Sequence, residues 1–301
     1  MKKTFLSIGE CMVEMAPTAS GDYHLGFAGD TFNTAWYARQ LYDQDWDIAY
    51  LTAVGEDLIS DQMVSFIGSA GINTGFIQRQ PGCTVGLYLI QLDNGERSFA
   101  YWRSDSAARR LANDPARLEA AFASAGLIYF SGISLAILSP CSRSTLFDAI
   151  AAARQNGATV VFDPNLRPRL WDSHNTMRQT IMTAAGVSDI VLPSYEDEAT
   201  FFGDESPDDT AQRYAGAGVE TVVVKNGAGE IFALDKGRIT RFTPNPITSI
   251  VDTTAAGDSF NAAFLASYLK SADLMPALAA GADLAAKVIT QRGALIDLGT
   301  P

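Results

Sequence analysis

The sequence predicts an α/β fold, in which helices flank a mostly parallel sheet and a small β lid stands off it. From Leu127 onward, short apolar runs alternate with longer amphipathic ones, which is the pattern of successive βαβ units. Between residues 87 and 102, two β-rich runs flank an Asn-Gly pair, which indicates an inserted hairpin. We therefore expect one domain over residues 1–301, with lid segments at about 11–28 and 83–104.

The predicted elements follow one another with short connections. Asn156-Gly157 closes one amphipathic stretch as a helix C-terminus, and Ser194 is a typical residue to open another. The first predicted helix follows residues 29–35 and runs to about Leu41. The others are 140–156, about 176–185, a helix opened by Ser194, and 261–270. The predicted strands are 87–92, 97–102, 127–130, 159–162, 190–192, 221–224, 231–234 and a β-type run at 250–251.

Charge and cysteine content narrow the class of protein. The chain has 34 acidic and 22 basic residues, a formal net charge of −12, which argues against nucleic-acid and anionic-membrane partners and favours a small molecule. Three widely spaced cysteines fit a reducing cytoplasm, and two isolated histidines do not suggest zinc. Glu10 and Glu14 interrupt any signal-like apolar run, and no stretch approaches the ~20 apolar residues of a membrane span. We expect a cytoplasmic protein.

One segment has the composition of a phosphate cradle. In residues 252–260, Ala255, Ala256 and Gly257 are small enough for backbone N–H groups at a helix start to approach an anion closely. Asp258 follows in the first turn of that helix, where a carboxylate can accept a proton from an attacking hydroxyl. The alternative is an ordinary turn in which Asp258 only complements the helix dipole.

A second candidate for anion binding follows the strand at 221–224. The chain lacks the G-x-x-x-x-G-K-[ST] motif of P-loop proteins and the G-x-G-x-x-G fingerprint of dinucleotide-binding folds. Lys225, Gly227 and Gly229 would lie at the carboxyl end of a parallel strand, where a nucleotide can approach the backbone. The same Gly-x-Gly also fits a hairpin turn into the run at 231–234.

Two further segments carry candidate binding residues, one set for an anion and one for a polyhydroxylated substrate. Arg167 and Arg169 alternate with prolines after a strand, so they can clamp a carboxylate or phosphate, or decorate a surface loop. Asp30 and Asn33 offer hydrogen bonds to hydroxyl groups, although both are also common at helix starts.

The predicted hairpin and the residue after it carry a further set of candidate binding side chains. Tyr88, Tyr101 and Arg103 can cover a bound ligand, and the alternative places the two aromatic side chains in a core or on a lid face.

With these motifs the chain resembles the ribokinase-like (PfkB) carbohydrate kinase family. Residues 252–258 are similar to the family's D-T-x-G-A-G-D motif, and 29–33 fall where its N-terminal glycine-and-asparagine motif lies. The resemblance covers essentially the whole chain. Further segments resemble the branch of the family that acts on 2-keto-3-deoxygluconate, at residues 9–12, 29–34, 101–103, 131–136, 167–171 and 291–294.

The resemblance implies ATP-dependent phosphorylation of the primary C6 hydroxyl of that sugar acid. It makes Asp258 the general base and Ala255, Ala256 and Gly257 the anion hole. It assigns to the nucleotide side Asn165, Lys225, Gly227 and Gly229. It assigns to the sugar-acid side Gly29, Asp30, Asn33, Tyr88, Tyr101, Arg103 and Arg167. It also implies Mg²⁺ as a cofactor and leaves open whether a monovalent cation activates the enzyme. Independently of the resemblance, an uncovered lid sheet is costly in an isolated chain, so we expect a homo-oligomer formed through the lid.

Two positions depart from the family pattern. Ala255 replaces the first glycine of the anion-hole motif, which places a Cβ near the transferring phosphate. The family's N-x-x-E metal motif is not recognisable in residues 193–198, so Asp197 and Glu198 are the metal candidates. Two other functions stay open: a fructokinase-like or other sugar kinase of this family, and a catalytically silent sugar or nucleotide sensor.

Overall fold

The computed structural model describes residues 3–18, 20–93 and 96–299. Its strands are β1 (Lys3–Ile8), β2 (Met12–Pro17), β3 (Tyr23–Ala28), β4 (Trp46–Val54), β5 (Ile77–Arg79), β6 (Leu87–Asp93), β7 (Glu96–Trp102), β8 (Ala125–Ser131), β9 (Thr159–Asp163), β10 (Ile190–Val191), β11 (Thr221–Val224), β12 (Ile231–Asp235) and β13 (Arg238–Phe242). Its α-helices are α1 (Asp30–Leu41), α2 (Leu58–Ser69), α3 (Pro115–Phe122), α4 (Gly132–Ala136), α5 (Pro140–Gln155), α6 (His174–Gly186), α7 (Tyr195–Phe202), α8 (Pro207–Gly216), α9 (Ala256–Ser271) and α10 (Leu274–Ile289).

Within the described residues, the large sheet has nine strands in the order β13-β12-β11-β10-β9-β8-β1-β4-β5. The pairings from β11 to β5 are parallel, and β12 and β13 add an antiparallel edge. Strands β8 to β11 are continuous apolar runs because helices cover both faces of the sheet. Phe32, Phe264 and Leu278 belong to the core on one face, and Leu146 and Ile181 to the core on the other. The predicted fold class is confirmed.

The second sheet has four described strands in the order β3-β2-β6-β7. Strands β2 and β6 pair in parallel, whereas β2–β3 and β6–β7 are antiparallel hairpin pairs. All four strands come from the two segments expected to form the lid. The Asn94-Gly95 turn lies outside the described residues.

The N-terminal region contributes more to the main sheet than the sequence indicated. Strand β1 lies between β8 and β4, near the middle of the large sheet, although no strand of this sheet was predicted in the first hundred residues. One predicted strand is wrong: residues 250–251 form an exposed irregular segment. The Val251 N–H donates to the carbonyl oxygen of Ile289, the last residue of α10, so it bonds the end of a helix and not a neighbouring strand. In the described part of the chain, no helix is long and apolar enough to cross a membrane.

Candidate active site

The candidate site lies where several parallel strands end. Asp163 is the last residue of β9, and Lys225 directly follows β11. Because the carboxyl ends of parallel strands share one edge, these side chains converge there. Helices α1 and α9 pack side by side, and both begin at this edge with residues that the sequence analysis selected, Asp30 and Ala256 to Asp258. The fold therefore brings distant motifs together.

Asp258 is buried in the first turn of α9 and contacts α1. Its Oδ2 accepts a hydrogen bond from Nδ2 of Asn33 over 2.8 Å, and its backbone oxygen accepts one from the Thr34 hydroxyl over 3.4 Å. The pKa of Asp258 is raised to about 8, chiefly by burial and secondly by the nearby charge of Asp30, while the Asn33 hydrogen bond and Lys225 lower it. A carboxyl group with this pKa is suited to accept a proton near neutral pH.

The turn before α9 holds its shape through Asp252. Oδ1 of Asp252 accepts hydrogen bonds from the backbone N–H and the hydroxyl of Thr254, and Oδ2 accepts one from the Gly293 N–H over 2.9 Å. Ala255 then adopts φ 60° and ψ 13°, a left-handed conformation that favours glycine. The departure noted at position 255 is thus also a point of backbone strain, at the start of the helix that carries Asp258.

Lys225 faces this turn. Its Nζ donates to Oδ2 of Asp163 over 3.3 Å and to Oδ1 of Asn261 over 3.0 Å, and all three side chains are buried. A Cβ added to Gly257 would lie 3.6 Å from the same Nζ. A cation therefore lies beside the small residues proposed to bind the transferring phosphoryl group, which increases the positive potential of the helix start.

Asp30 and Asn165 are in direct contact, although the resemblance assigned them to opposite sides of the site. Nδ2 of Asn165 donates to Oδ2 of Asp30 over 2.8 Å. Asn165 has φ 35°, and its N–H donates to Oδ1 of Asp163 over 3.2 Å. The pKa of Asp30 is raised by burial, and hydrogen bonds from Ser131 and Asn165 oppose that rise. Asn165 thus links the segment after β9 to the start of α1.

The three candidate glycines other than Gly257 have different local roles. A Cβ on Gly29 would lie 2.1 Å from the backbone oxygen of Glu10, so only glycine allows this close approach. Gly227 has φ 53° in the tight turn between the antiparallel strands β11 and β12. A Cβ on Gly229 would lie 2.7 Å from Nδ2 of Asn226. The hairpin alternative accounts for the local shape of residues 227–229, and nucleotide contact there stays a prediction.

The lid candidates contact two acidic side chains. The Tyr88 hydroxyl donates to Oε2 of Glu14, and the Arg103 guanidinium forms an ion pair with the buried Glu10. Nε of Arg103 is buried with no hydrogen-bond partner among the described residues. Tyr101 is 52% exposed and its ring lies 6.1 Å from that of Tyr88.

The two metal candidates have different surroundings. Glu198 is buried, and its oxygens accept hydrogen bonds from Nη2 of Arg213 over 2.7 Å and from the Tyr214 hydroxyl over 2.9 Å. Asp197 is partly exposed and lies 3.6 Å from Nη1 of Arg167. Both oxygens of Glu198 are thus bonded within the α7–α8 contact, whereas Asp197 faces another candidate residue. No group of three potential metal ligands occurs among the described residues.

Several residues of this site were missed by the sequence analysis. Asp163, Asn261, Tyr129 and Glu10 were given no role in the site. One signal was available for Asn261, because residues three apart on a helix share a face and it follows Asp258 by that spacing. Tyr129 lies inside an apolar strand, so nothing in the local pattern distinguishes it from a core residue.

The site combines a buried carboxylate at a helix start with an adjacent cation, which suits phosphoryl transfer to an alcohol. The sequence profile described as pfkB family carbohydrate kinase matches residues 2–301. The chain therefore belongs to the PfkB family of carbohydrate kinases, which are phosphotransferases with an alcohol group as acceptor.

Relatives within the family are similar over nearly their whole length. The 2-dehydro-3-deoxygluconokinase of Dickeya dadantii is 40% identical over 98% of this chain and 97% of its own, and that of Escherichia coli K12 is 38% identical over 98% of both. A Vibrio alginolyticus fructokinase is 28% identical over 97% of this chain and 94% of its own. The crystal structure of a PfkB protein from Polaromonas sp. JS666 superposes with a TM-score of 0.84 at 25% identity, covering 96% of each chain.

Proposed function

We propose that this protein transfers the γ-phosphoryl group of ATP to the C6 hydroxyl of 2-keto-3-deoxygluconate, which is the 2-dehydro-3-deoxygluconate named in its relatives. The observation that carries the chemistry is the buried Asp258, hydrogen-bonded to Asn33 at the start of α9. The choice of substrate is supported by the 36–40% identity to three kinases of that name, against 28% for the fructokinase.

In the proposed reaction, Asp258 accepts the proton of the C6 hydroxyl as its oxygen attacks the γ-phosphorus, and ADP leaves with the bonding electron pair. Backbone N–H groups at 255–257 and the Lys225 ammonium stabilise the phosphoryl oxygens as charge moves onto them. Such preorganised donors act more strongly when water is excluded from the site. We assign the exclusion of water to the four-stranded lid.

Two arginines are assigned to bind the carboxylate of the substrate. A keto acid carries a carboxylate that fructose lacks, and a guanidinium binds carboxylates well because its donors form a planar fork. We assign this role to Arg103, which has an unpartnered buried Nε, and to the half-exposed Arg167. The hydroxyl groups of the sugar are assigned to Asp30, Asn33 and Gly29.

Of the two candidate carboxylates for Mg²⁺, one fits the ion and the other does not. This ion usually keeps several waters and is held by one or two carboxylates together with substrate phosphates. Asp197 offers one such carboxylate, whereas the oxygens of Glu198 already bind Arg213 and Tyr214. When bound, Mg²⁺ would neutralise phosphate charge. A requirement for a monovalent cation, and a cytoplasmic location, stay part of the proposal.

The lid is also the proposed surface for homo-oligomerisation. Five large apolar or aromatic side chains on its strands are exposed: Tyr23, Leu25, Phe99, Tyr101 and Trp102. An exposed apolar sheet is costly in an isolated chain, so pairing of two lids would remove it from water. Light scattering across a dilution series tests this part.

A coupled ADP-release assay tests the function directly. The panel is 2-keto-3-deoxygluconate, 2-keto-3-deoxygalactonate, fructose and ribose, and phosphorus–proton coupling in the product shows which carbon carries the phosphate. We expect the highest kcat/KM for the deoxygluconate and a C6 ester. Preference for fructose would support the fructokinase alternative, and absence of turnover on every sugar would support a sensor.

A further inference from the structure

Asn261 lies one turn after Asp258 on the same face of α9 and is completely buried. Its side chain makes three hydrogen bonds. Nδ2 donates to Oδ2 of Asp163 over 2.7 Å and to the Tyr129 hydroxyl over 2.9 Å, and Oδ1 accepts from Nζ of Lys225 over 3.0 Å. A carboxamide has two N–H donors and one oxygen, so every polar atom of this side chain is bonded.

The partners of Asn261 come from three different strands. Tyr129 is in β8, Asp163 ends β9, and Lys225 follows β11. The Tyr129 hydroxyl also accepts a hydrogen bond from Thr34 over 3.2 Å, next to the Asn33 that binds Asp258. A buried chain of hydrogen bonds thus runs from the backbone oxygen of Asp258 through Thr34, Tyr129 and Asn261 to the Lys225 ammonium group. Networks of this kind are rigid when every member is bonded.

Lys225 depends on this network for its position. Among the described residues its Nζ has two hydrogen-bond partners, Asn261 and the more distant Asp163 at 3.3 Å. A lysine head on a flexible four-carbon stem needs such partners to stay in one place. Without Asn261, we expect the ammonium group to move toward Asp163 and away from the turn at Gly257.

We propose that Asn261 is a positioning residue that holds the Lys225 ammonium beside the anion-binding turn of α9. This inference rests on the proposed function, because it assumes that phosphate binds at that turn. Asn261 itself touches neither substrate. It acts by keeping Lys225 between the phosphoryl group and Asp163, so that the cation neutralises charge where phosphoryl transfer takes place.

The test compares Asn261→Ala with Tyr129→Phe, which removes one partner of Asn261 without touching Lys225. In Asn261→Ala we expect kcat to fall about tenfold or more and the KM for ATP to rise about tenfold, since a hydrogen bond to a charged group is lost. The KM for the sugar acid should stay within about twofold, because the bond between Asn33 and Asp258 remains intact. Tyr129→Phe leaves the bond between Asn261 and Lys225 in place, so we expect its KM for ATP to rise less than that of Asn261→Ala.

A double-mutant cycle separates positioning from a loss of packing. If Asn261 acts through Lys225, Asn261→Ala adds little to the loss already caused by Lys225→Met. Additive losses would overturn the proposal, and so would equal changes in the KM values of both substrates. Asn261→Ser, which keeps a polar atom but cannot span the same distance, should behave as the alanine variant does and supplies a second protein if that variant does not fold.

Two further readouts keep this inference distinct from the proposed function. Calorimetric titration with ATP alone needs no sugar, and we expect about tenfold weaker binding in Asn261→Ala than in the unmodified protein. Unchanged ATP affinity would overturn the inference even if the sugar kinase activity is confirmed.

The second readout is the pH profile of kcat/KM for the sugar acid. In Asn261→Ala its acid limb should move to higher pH, because displacement of Lys225 removes a charge that lowers the pKa of Asp258. The charged groups around Asp258 are Asp30, Asp163 and Lys225, and only Lys225 lowers its pKa.

Discussion

Nδ2 of Asn33 lies 2.8 Å from Oδ2 of Asp258, although 225 positions separate the two residues in the sequence. This hydrogen bond joins the first residues of α1 to the first residues of α9, so it fixes the direction in which the carboxylate points. It also favours the ionised form of Asp258, against the burial and the Asp30 charge that raise its pKa. Asn33 therefore helps set both the orientation and the protonation state of the proposed base.

Replacing Asp258 should separate activity from stability. Asp258→Asn keeps the size of the side chain but removes the proton acceptor, so we expect kcat to fall by about 10²- to 10⁴-fold. Measured by steady-state assay, near-normal turnover would refute the assigned role.

The same variant gives a stability readout. The pKa of Asp258 is about 8 when folded, above the 3.8 of an ordinary Asp, so the folded state keeps a proton that the unfolded state releases between those values. The stability contributed by this group is thus present at low pH and is lost as pH rises from about 4 to 8. We expect Asp258→Asn to match the unmodified protein near pH 4.5 and to exceed it at pH 8 by on the order of a few kcal/mol. Thermal denaturation at the two pH values measures this difference, and a destabilised variant at pH 8 would contradict it.

The pH dependence of activity follows from the same pKa. Because the base must be ionised, kcat/KM for the sugar should rise with pH and level off above about 8. In Asn33→Ala this limb should move to higher pH, since the hydrogen bond that lowers the pKa is lost. Thr34→Val is the matched control, because Thr34 contacts only the backbone oxygen of Asp258. Coincident profiles for the Asn33 variant and the unmodified protein would show that the hydrogen bond does not control ionisation.

Local sequence patterns were sufficient for the elements whose burial is uniform. Strands β8, β9 and β11 are short apolar runs flanked by helices, and the structure has them within two residues of the predicted bounds. The segment at 250–251 has a similar β-type composition, but among the described residues it pairs with no strand, so it is not a strand itself. Pairing depends on residues elsewhere in the chain, and a local pattern does not contain that information.

In the candidate site, too, some residues could be predicted from the local pattern and others could not. Asp258 was selected because its neighbours Ala255 to Gly257 form a recognisable small-residue motif. Asn261 and Tyr129 were not selected, since a polar residue inside an apolar helix or strand has meaning only when its partners are known. The contact between Asp30 and Asn165 joins two motifs 135 residues apart, and only the folded chain shows it.

Arg167 should discriminate acids from neutral sugars. We expect Arg167→Gln to raise the KM for 2-keto-3-deoxygluconate by about tenfold or more, because a charge-assisted hydrogen bond to the carboxylate is lost, and to leave the KM for ATP unchanged. Arg169→Gln is the control, since Arg169 is an exposed arginine two positions away. Steady-state assays with each substrate varied in turn measure both values. A selective rise in the KM for ATP would place Arg167 at the phosphates instead.

The two adjacent acidic residues of α7 should have separate effects. Asp197→Asn removes the carboxylate proposed to act on the Mg²⁺ side, so we expect a higher KM for the magnesium complex of ATP and an unchanged melting temperature. Glu198→Gln should leave that KM unchanged and lower the melting temperature, because Glu198 is a buried partner of Arg213. Loss of such an ion pair costs about 1–3 kcal/mol when a hydrogen bond is retained. Magnesium titrations and thermal denaturation of both variants distinguish the roles. A metal effect confined to Glu198→Gln would reverse the assignment.

Ala255 and Ala272 flank the two ends of α9, and both adopt the left-handed conformation, with φ 60° and 52°. A β-branched residue is strongly disfavoured there, so we expect Ala255→Val and Ala272→Val each to lose about 1–3 kcal/mol of stability. Their activities should differ. At a temperature where both remain folded, Ala255→Val should lose at least about a hundredfold in kcat, because distortion of the anion hole removes preorganised donors, whereas Ala272→Val should keep normal turnover. Ala255→Gly relieves the strain and should be fully active, and equal turnover of the two valine variants would show that the turn at position 255 does not hold the phosphoryl group.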